Sequence, residues 1–198
     1  FNSSLSGELV ATSNGAYRAK VENGDFLAYS FSDSHWLVKD KSGRQYKFGY
    51  SAASRQDDQN DSARIYRWYL EEIRDLNGNY IKYEYYKDGG QIYPEHISYT
   101  GHDTTDGIFS VDFTRSSRPD SIQSYKAAFL VATDYRISEI SVAIDSTWVR
   151  KYSLDYTAGD NGYRSLLGGV TESARDSELN TTTLPETVFA YQQSTASW

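Results

Sequence analysis

A chain of 198 residues and 22.5 kDa can bury a sizeable core without covalent staples, and Cys 0 excludes disulfides, zinc knuckles and a thiol nucleophile. Lys+Arg 20 against Asp+Glu 27 gives a net charge of −7 and a pI near 5.0, which repels a phosphate backbone and removes nucleic acid from the expected partners. Hydrophobic content of 38% and mean hydropathy −0.67 leave no run suited to a membrane span, while Met 0 behind a first residue Phe1 points to a processed product or a piece of a longer chain.

Aromatic content of 15%, carried by Tyr 18, Phe 8 and Trp 4, favours strands, where a ring packs and a hydroxyl finds a partner. Residues 1–24 are small and polar and read as a loosely ordered N-terminal arm, with Leu9 and Val10 its one strand nucleus. Residues 25–198 read as a single β-rich module. Within it, residues 26–31 and 35–39 are strand-like, and Asp40-Lys41-Ser42-Gly43 turns the second into residues 44–49. Residues 64–73 read as one strand. Glu71-Glu72 would suit a helix, but the Trp, Tyr and Ile around them favour strand. Asp75-Leu76-Asn77-Gly78-Asn79 then makes a hairpin turn, with Gly78 expected at positive φ. On the outgoing strand Ile81, Tyr83 and Tyr85 share one face and Lys82 and Glu84 the other, a period of two.

The pattern continues through the turn Lys87-Asp88-Gly89-Gly90 and the strand residues Ile92, Tyr93, Ile97 and Tyr99. Phe109, Val111 and Phe113 alternate, and Pro119 is expected to break the pattern at residues 116–120. Residues 121–129 are the one stretch that could hold a helical turn. Ile140, Val142 and Ile144 lead into a tight turn at Asp145-Ser146, with residues 148–156 returning. Residues 166–171 and 187–191 are weaker strands around Asp160-Asn161-Gly162. Strands at roughly ten-residue spacing predict an all-β antiparallel meander of hairpins, forming an extended or curved sheet.

Little in the chain suggests chemistry. His35, His96 and His102 lie in unrelated segments with no spacing that would put two imidazoles on one metal, and no G-x-S-x-G elbow is present. Glu71 and Glu72 are adjacent, so a strand sends them to opposite sides and they cannot act on one bond. Asp57, Asp58 and Asp61 lack the spacing of a calcium loop, and Asp75 to Asn79 is explained by its turn. Asn2, Asn60 and Asn180 head glycosylation sequons, a short pattern common by chance. Trp36, Trp68 and Trp148 could stack a sugar, although residues inside alternating strands more often build a core. The expectation is no catalytic residue, no cofactor and no metal.

Four stretches resemble a known family. Trp36-Leu37-Val38 with Asp40, Gly43, Tyr46, Phe48 and Gly49 is similar to W-x-V-x-D-x-x-G-x-x-Y-x-F-G. Trp68, Leu70, Ile73, Asp75, Asn77, Gly78, Asn79, Ile81, Tyr83 and Tyr85 are similar to W-x-L-x-x-I-x-D-x-N-G-N-x-I-x-Y-x-Y, the most specific match. Tyr93 with Ile97-Ser98-Tyr99-Thr100 forms the third, and Arg118-Pro119-Asp120, Ser124-Tyr125 and Arg136-Ile137 the fourth. Ala127-Ala128 stands where the family usually has Gly, and Ile137 where it has Leu. Over roughly residues 26–160 the chain thus resembles the SpvB-like N-terminal region of insecticidal toxin complex (Tc) B components, relatives of the RHS/YD-repeat proteins.

That resemblance implies a non-catalytic segment of a hollow β shell around a toxic cargo, in a secreted or cell-surface bacterial protein. It implies, as partners, other segments or subunits of a larger toxin or surface assembly. The residues it singles out are structural: Trp36, Gly43, Phe48, Gly49, Trp68, Asp75, Asn77, Gly78, Asn79, Tyr83 and Tyr85. A carbohydrate- or receptor-binding β-module is the alternative, and a glycan-acting enzyme with an unrecognised carboxylate pair the third reading.

Overall fold

The computed structural model describes residues 1–13, 15–159 and 164–192. Among them there is no α-helix, and the chain is an antiparallel series of hairpins in two compact units, Phe1–Gly107 and Ile108–Trp198. Asp160-Asn161-Gly162 lies outside the described residues.

In the first unit, β1 (Asn2–Ser3), β2 (Gly7–Ser13) and β3 (Ala16–Ala19) are already paired strands. The expected loose arm is therefore a sheet edge, tied down because Leu9 is buried against Tyr29, Trp36 and Val38. β4 (Ala28–Ser32), β5 (His35–Lys39) and β6 (Gln45–Phe48) follow as consecutive antiparallel neighbours. Next come β7 (Arg55–Asp58), β8 (Asp61–Trp68), β9 (Leu70–Arg74), β10 (Asn79–Asp88) and β11 (Gln91–His102). The sheet runs β1-β2-β3-β4-β5-β6-β9-β10-β11, while β7 and β8 form a separate two-stranded ribbon.

Residues 64–73 are thus two strands rather than one. The break falls at Tyr69, whose N–H donates to the Ser54 carbonyl (2.8 Å) and whose carbonyl accepts the Gly49 N–H (3.0 Å). Those bonds satisfy its backbone outside either ladder, so β8 pairs with β7 and β9 with β6 and β10. The helical turn expected within residues 121–129 is absent, and among the described residues a single 3₁₀ turn, Ala52–Ser54, leads into β7 instead.

The second unit contains β12 (Phe109–Ser124), β13 (Val131–Ile144), β14 (Thr147–Ala158), β15 (Ser165–Arg175), β16 (Thr181–Thr183) and β17 (Thr187–Val188). They lie in the order β12-β13-β14-β15-β16, with β17 also on β15. The alternation read at Phe109, Val111 and Phe113 is cross-strand pairing, since they oppose Ile144, Val142 and Ile140 respectively. Pro119 does not end β12. The ladder jumps from Ser117↔Tyr135 to Ile122↔Thr133, a bulge that frees Pro119 from any need to donate.

Candidate functional site

Turn chemistry accounts for most of the motif residues. Three five-residue connections share one geometry: 40–44, 75–79 and 176–180. In each, the leading Asp N–H donates to the fifth residue's carbonyl, and the fourth residue's N–H donates to the Asp carbonyl. In each, Oδ1 of that Asp accepts N–H groups from the third and fifth residues. Side-chain bonds from Ser42, Asn79 and Asn180 are the main reason Asp40, Asp75 and Asp176 are held below the usual carboxylate range. The fourth residue is left-handed every time: Gly43 at φ 82°, Gly78 at 85° and Leu179 at 66°.

Gly78 has a second constraint. Its carbonyl accepts from Asp103 N–H (3.0 Å) and Arg74 Nη1 (3.3 Å), and a Cβ there would overlap the Asp103 carboxylate. The third copy, 176–180, was not legible because Leu stands where the pattern calls for Gly. Two-residue turns are equally regular: Asp33-Ser34, Gly89-Gly90 and Asp145-Ser146 all have positive φ at both positions, as a type I′ hairpin demands.

Trp36 and Trp68 belong to the first unit's core. Trp36 is 6% exposed, with the rings of Phe31, Phe1 and Tyr17 at 4.8, 4.9 and 5.0 Å and that of Trp68 edge-on at 6.2 Å. Phe48 packs against the same cluster. Trp68 Nε1 donates to the Ser34 carbonyl (2.8 Å), and its ring lies so close to Gly49 that any side chain there would collide. Trp148 is in the second unit, under the Arg175 guanidinium (3.9 Å) and beside Lys151 (5.0 Å). Each indole is engaged with neighbours of its own unit.

On β10, Tyr85 donates to the Leu70 carbonyl (2.6 Å), and burial pushes its phenol far up; burial also raises Tyr83. The opposite face carries Tyr80 as well as Lys82 and Glu84. Tyr80 is 4% exposed there, its single hydroxyl proton shared between the Thr105 carbonyl and Asp106 Oδ1 (both 2.8 Å) beneath the Arg74 guanidinium. The strand keeps its alternation because the irregularities fall on β11, where Thr100 takes φ 66°.

The acidic residues weighed as candidates for chemistry have local partners. Glu71 accepts the Ser51 N–H (2.8 Å), whereas Glu72 meets Lys47 (2.9 Å) and Arg74 (2.8 Å), so the two carboxylates point different ways. Burial works to raise Glu72, but its bonds from Arg74 and Lys47 prevail and hold it low. Asp57 pairs with Lys87 and Asp58 with Arg64 (2.8 and 2.7 Å). Among the described residues no three His, Asp or Glu side chains converge as metal ligands. His35 lies against the Tyr50 ring (3.9 Å) and His102 beside Asp103 (3.4 Å). A shallow hollow of about 300 Å³ is lined by Leu5, Asp25, Leu27, Asp40, Lys41, Ser42 and Tyr46.

The Arg118-Pro119-Asp120 motif makes a clasp. Neighbouring strands are about 4.8 Å apart, so three flat steps would separate β12 from β15 by about 14 Å. Yet Asp120 accepts from Ser165 N–H (2.6 Å) and Oγ–H (2.7 Å) as well as from Arg118 (2.9 Å). The bulge of β12 thus meets β15 although β13 and β14 lie between them in the strand order. Arg136 donates to the same Ser165 hydroxyl (2.7 Å) and lies on the Tyr156 ring (4.3 Å), and Tyr156 donates to the Ile137 carbonyl (2.6 Å). The Arg118 guanidinium first, then Ser165, holds the Asp120 carboxyl far below the usual range.

This arrangement of strands has counterparts. Residues 16–110 match the family described as Salmonella virulence plasmid 65kDa B protein, so the resemblance drawn from the sequence stands over that span. The fourth stretch, beyond residue 110, lies outside it. No protein of curated function matches the sequence. Among solved structures, a chain of TcdB2-TccC3-Cdc42 matches with a TM-score of 0.76 and 20% identity over 90% of this chain and 12% of its own. The Photorhabdus luminescens Tc holotoxin pore matches at 0.74 and 20% over 89% of this chain and 11% of its own. The N-terminal domain of effector protein SpvB from Salmonella typhimurium strain LT2 matches at 0.68 and 17% over 81% and 69%. The chain thus spans about an eighth of the long Tc chains whose fold it shares.

Proposed function

We propose that this chain is a wall segment of a larger toxin-like or surface assembly, part of a longer secreted bacterial protein, and that it does no chemistry of its own. The observation that carries the reading is a shared fold along 90% of this chain with 12% of a much longer Tc chain. The side chains support it. The recurring motifs set turn geometry and strand register, and tyrosine rungs supply cross-strand contact worth roughly 0.2–1 kcal/mol per pair. A wall needs such pairing and has no use for a reactive group. Its partners are the other segments or subunits of that assembly.

Protease protection tests the wall. The complete parent protein, produced with its cargo, is expected to shield the cargo in the wild type and to lose that shielding in Trp36→Ala. Equal shielding in a Trp36→Ala protein shown to be unfolded in this segment would overturn the reading. A panel of glycan and NAD hydrolysis, with calcium and zinc titration, tests the absence of chemistry. Turnover lost on one carboxylate substitution, or micromolar metal binding at Asp57, Asp58 and Asp61, would contradict it.

A further inference from the structure

The sequence holds four Asn-Gly pairs, and two of them, Asn23-Gly24 and Asn77-Gly78, lie wholly within the described residues. The chemistry available to such a pair is fixed. The glycine nitrogen can attack the asparagine Cγ, because no side chain hinders its approach. Two things limit the reaction: the amide nitrogen must give up its proton, and negative charge develops on Oδ1. The two pairs differ in the group that stands ready to take that proton.

Asn23 lies in the segment between β3 and β4, where residues 21–26 are exposed and outside any strand. Glu22 Oε1 accepts the Gly24 N–H at 2.8 Å, so a carboxylate already sits on the proton that must leave. The Asp25 N–H donates to Asn23 Oδ1 (3.3 Å), on the atom where charge develops. Gly24 has φ 96°, with open space where a side chain would be. The Phe26 amide, then that of Gly24, holds Glu22 below its ordinary range, so it is anionic at neutral pH. At the other pair, the Gly78 N–H donates to the Asp75 main-chain carbonyl (3.3 Å), a group that takes no proton, inside a turn pinned at both ends.

We propose that Asn23 is a self-modifying site, deamidated within its own loop with Glu22 as general base and the Asp25 N–H as oxyanion donor. The Gly24 nitrogen passes its proton to Glu22 and bonds to Asn23 Cγ. The Cγ–Nδ2 bond then breaks, and the departing nitrogen takes the proton back from Glu22 and leaves as ammonia, giving a cyclic imide. Water opens that ring at either carbonyl, yielding aspartate or isoaspartate. The net change is one amide and one water to one carboxylic acid and ammonia. The product adds a negative charge between Glu22 and Asp25, and the isoaspartyl form lengthens the backbone by one carbon. This assignment is independent of the wall reading, since it concerns the loop and not the sheet.

Peptide mass mapping of the purified chain, incubated warm at neutral pH, tests it. The peptide containing Asn23 should gain about one dalton several-fold faster than that containing Asn77, and an isoaspartyl methyltransferase should label it. Glu22→Gln should slow the gain at Asn23 several-fold without touching Asn77, because an amide accepts the hydrogen bond but not the proton. In urea, where the loop geometry is gone, the two sites should react alike. Equal rates in the folded chain, or a Glu22→Gln chain that reacts as fast or faster at Asn23, would overturn the assignment.

Discussion

Leu9, Tyr29, Trp36, Val38, Tyr80, Ile92 and Tyr93 are all less than a tenth exposed in the first unit, whereas among the described residues of the second only Phe129, Val131 and Ala143 are buried apolar side chains. The second unit has instead its clasp of Arg118, Asp120, Ser165 and Arg136, a set of charge-assisted hydrogen bonds. One unit is held by area removed from water and the other, in larger part, by polar geometry. Apolar burial is indifferent to pH and strengthened by salting-out salts, while the clasp depends on an ionised carboxylate. Two units built alike from antiparallel hairpins can thus have different sensitivities.

Trp36→Ala strikes the apolar side of this contrast hardest. Removing an indole ringed by four aromatic side chains should destabilise the first unit by about 3–5 kcal/mol in urea unfolding. A loss below about 1 kcal/mol would mean that the cluster is not the core. Gly78→Val should cost about 1–2 kcal/mol for a branched residue in the left-handed region. Overlap with Asp103 adds to that cost, so an unchanged melting midpoint would break the turn assignment.

Asp120→Asn addresses the polar side. Its native carboxyl is depressed, so its contribution is complete above the unfolded-state value near 4 and is lost as pH falls below it. Hydrogen exchange should show β12 to β15 loosening in the variant at neutral pH while β4 to β6 keep their protection. The wild type should lose second-unit stability as pH drops below about 4, and the variant should lose less over that range. Identical acid limbs would show that the clasp is not what distinguishes the units. The smallest effect is a gain: Leu179→Gly should stabilise the chain by up to about 1 kcal/mol, by relieving the one left-handed turn position of the three that is not glycine.

Legibility followed the same divide. The hairpin at Asp75 to Asn79, the turn at Asp145-Ser146 and the alternation at Phe109, Val111 and Phe113 could be read directly, because each depends on residues within one or two turns of the chain. The turn at 176–180 was hidden by Leu179, although its Asp176 and Asn180 carry the same bonds as Asp75 and Asn79. Tyr80 looked like one more strand residue beside Lys82. Its burial depends on Thr105 and Asp106, more than twenty positions away.

Strand, turn and the antiparallel meander are written in the chain itself, since a period of two and an Asp or Gly at a fixed offset act over a few residues. Packing settled what those rules cannot reach. Residues 64–73 divide at Tyr69 because Ser54 and Gly49, fifteen and twenty positions earlier, take up its backbone groups. Leu9 ties down the opening segment because Tyr29, Trp36 and Val38 stand ready to cover it. Asp120 and Ser165 are 45 residues apart, and no local pattern announces that they meet. They do so because the bulge around Pro119 takes residues 118–121 out of the ladder with β13 and because a carboxylate leaving water must find donors where the fold supplies them.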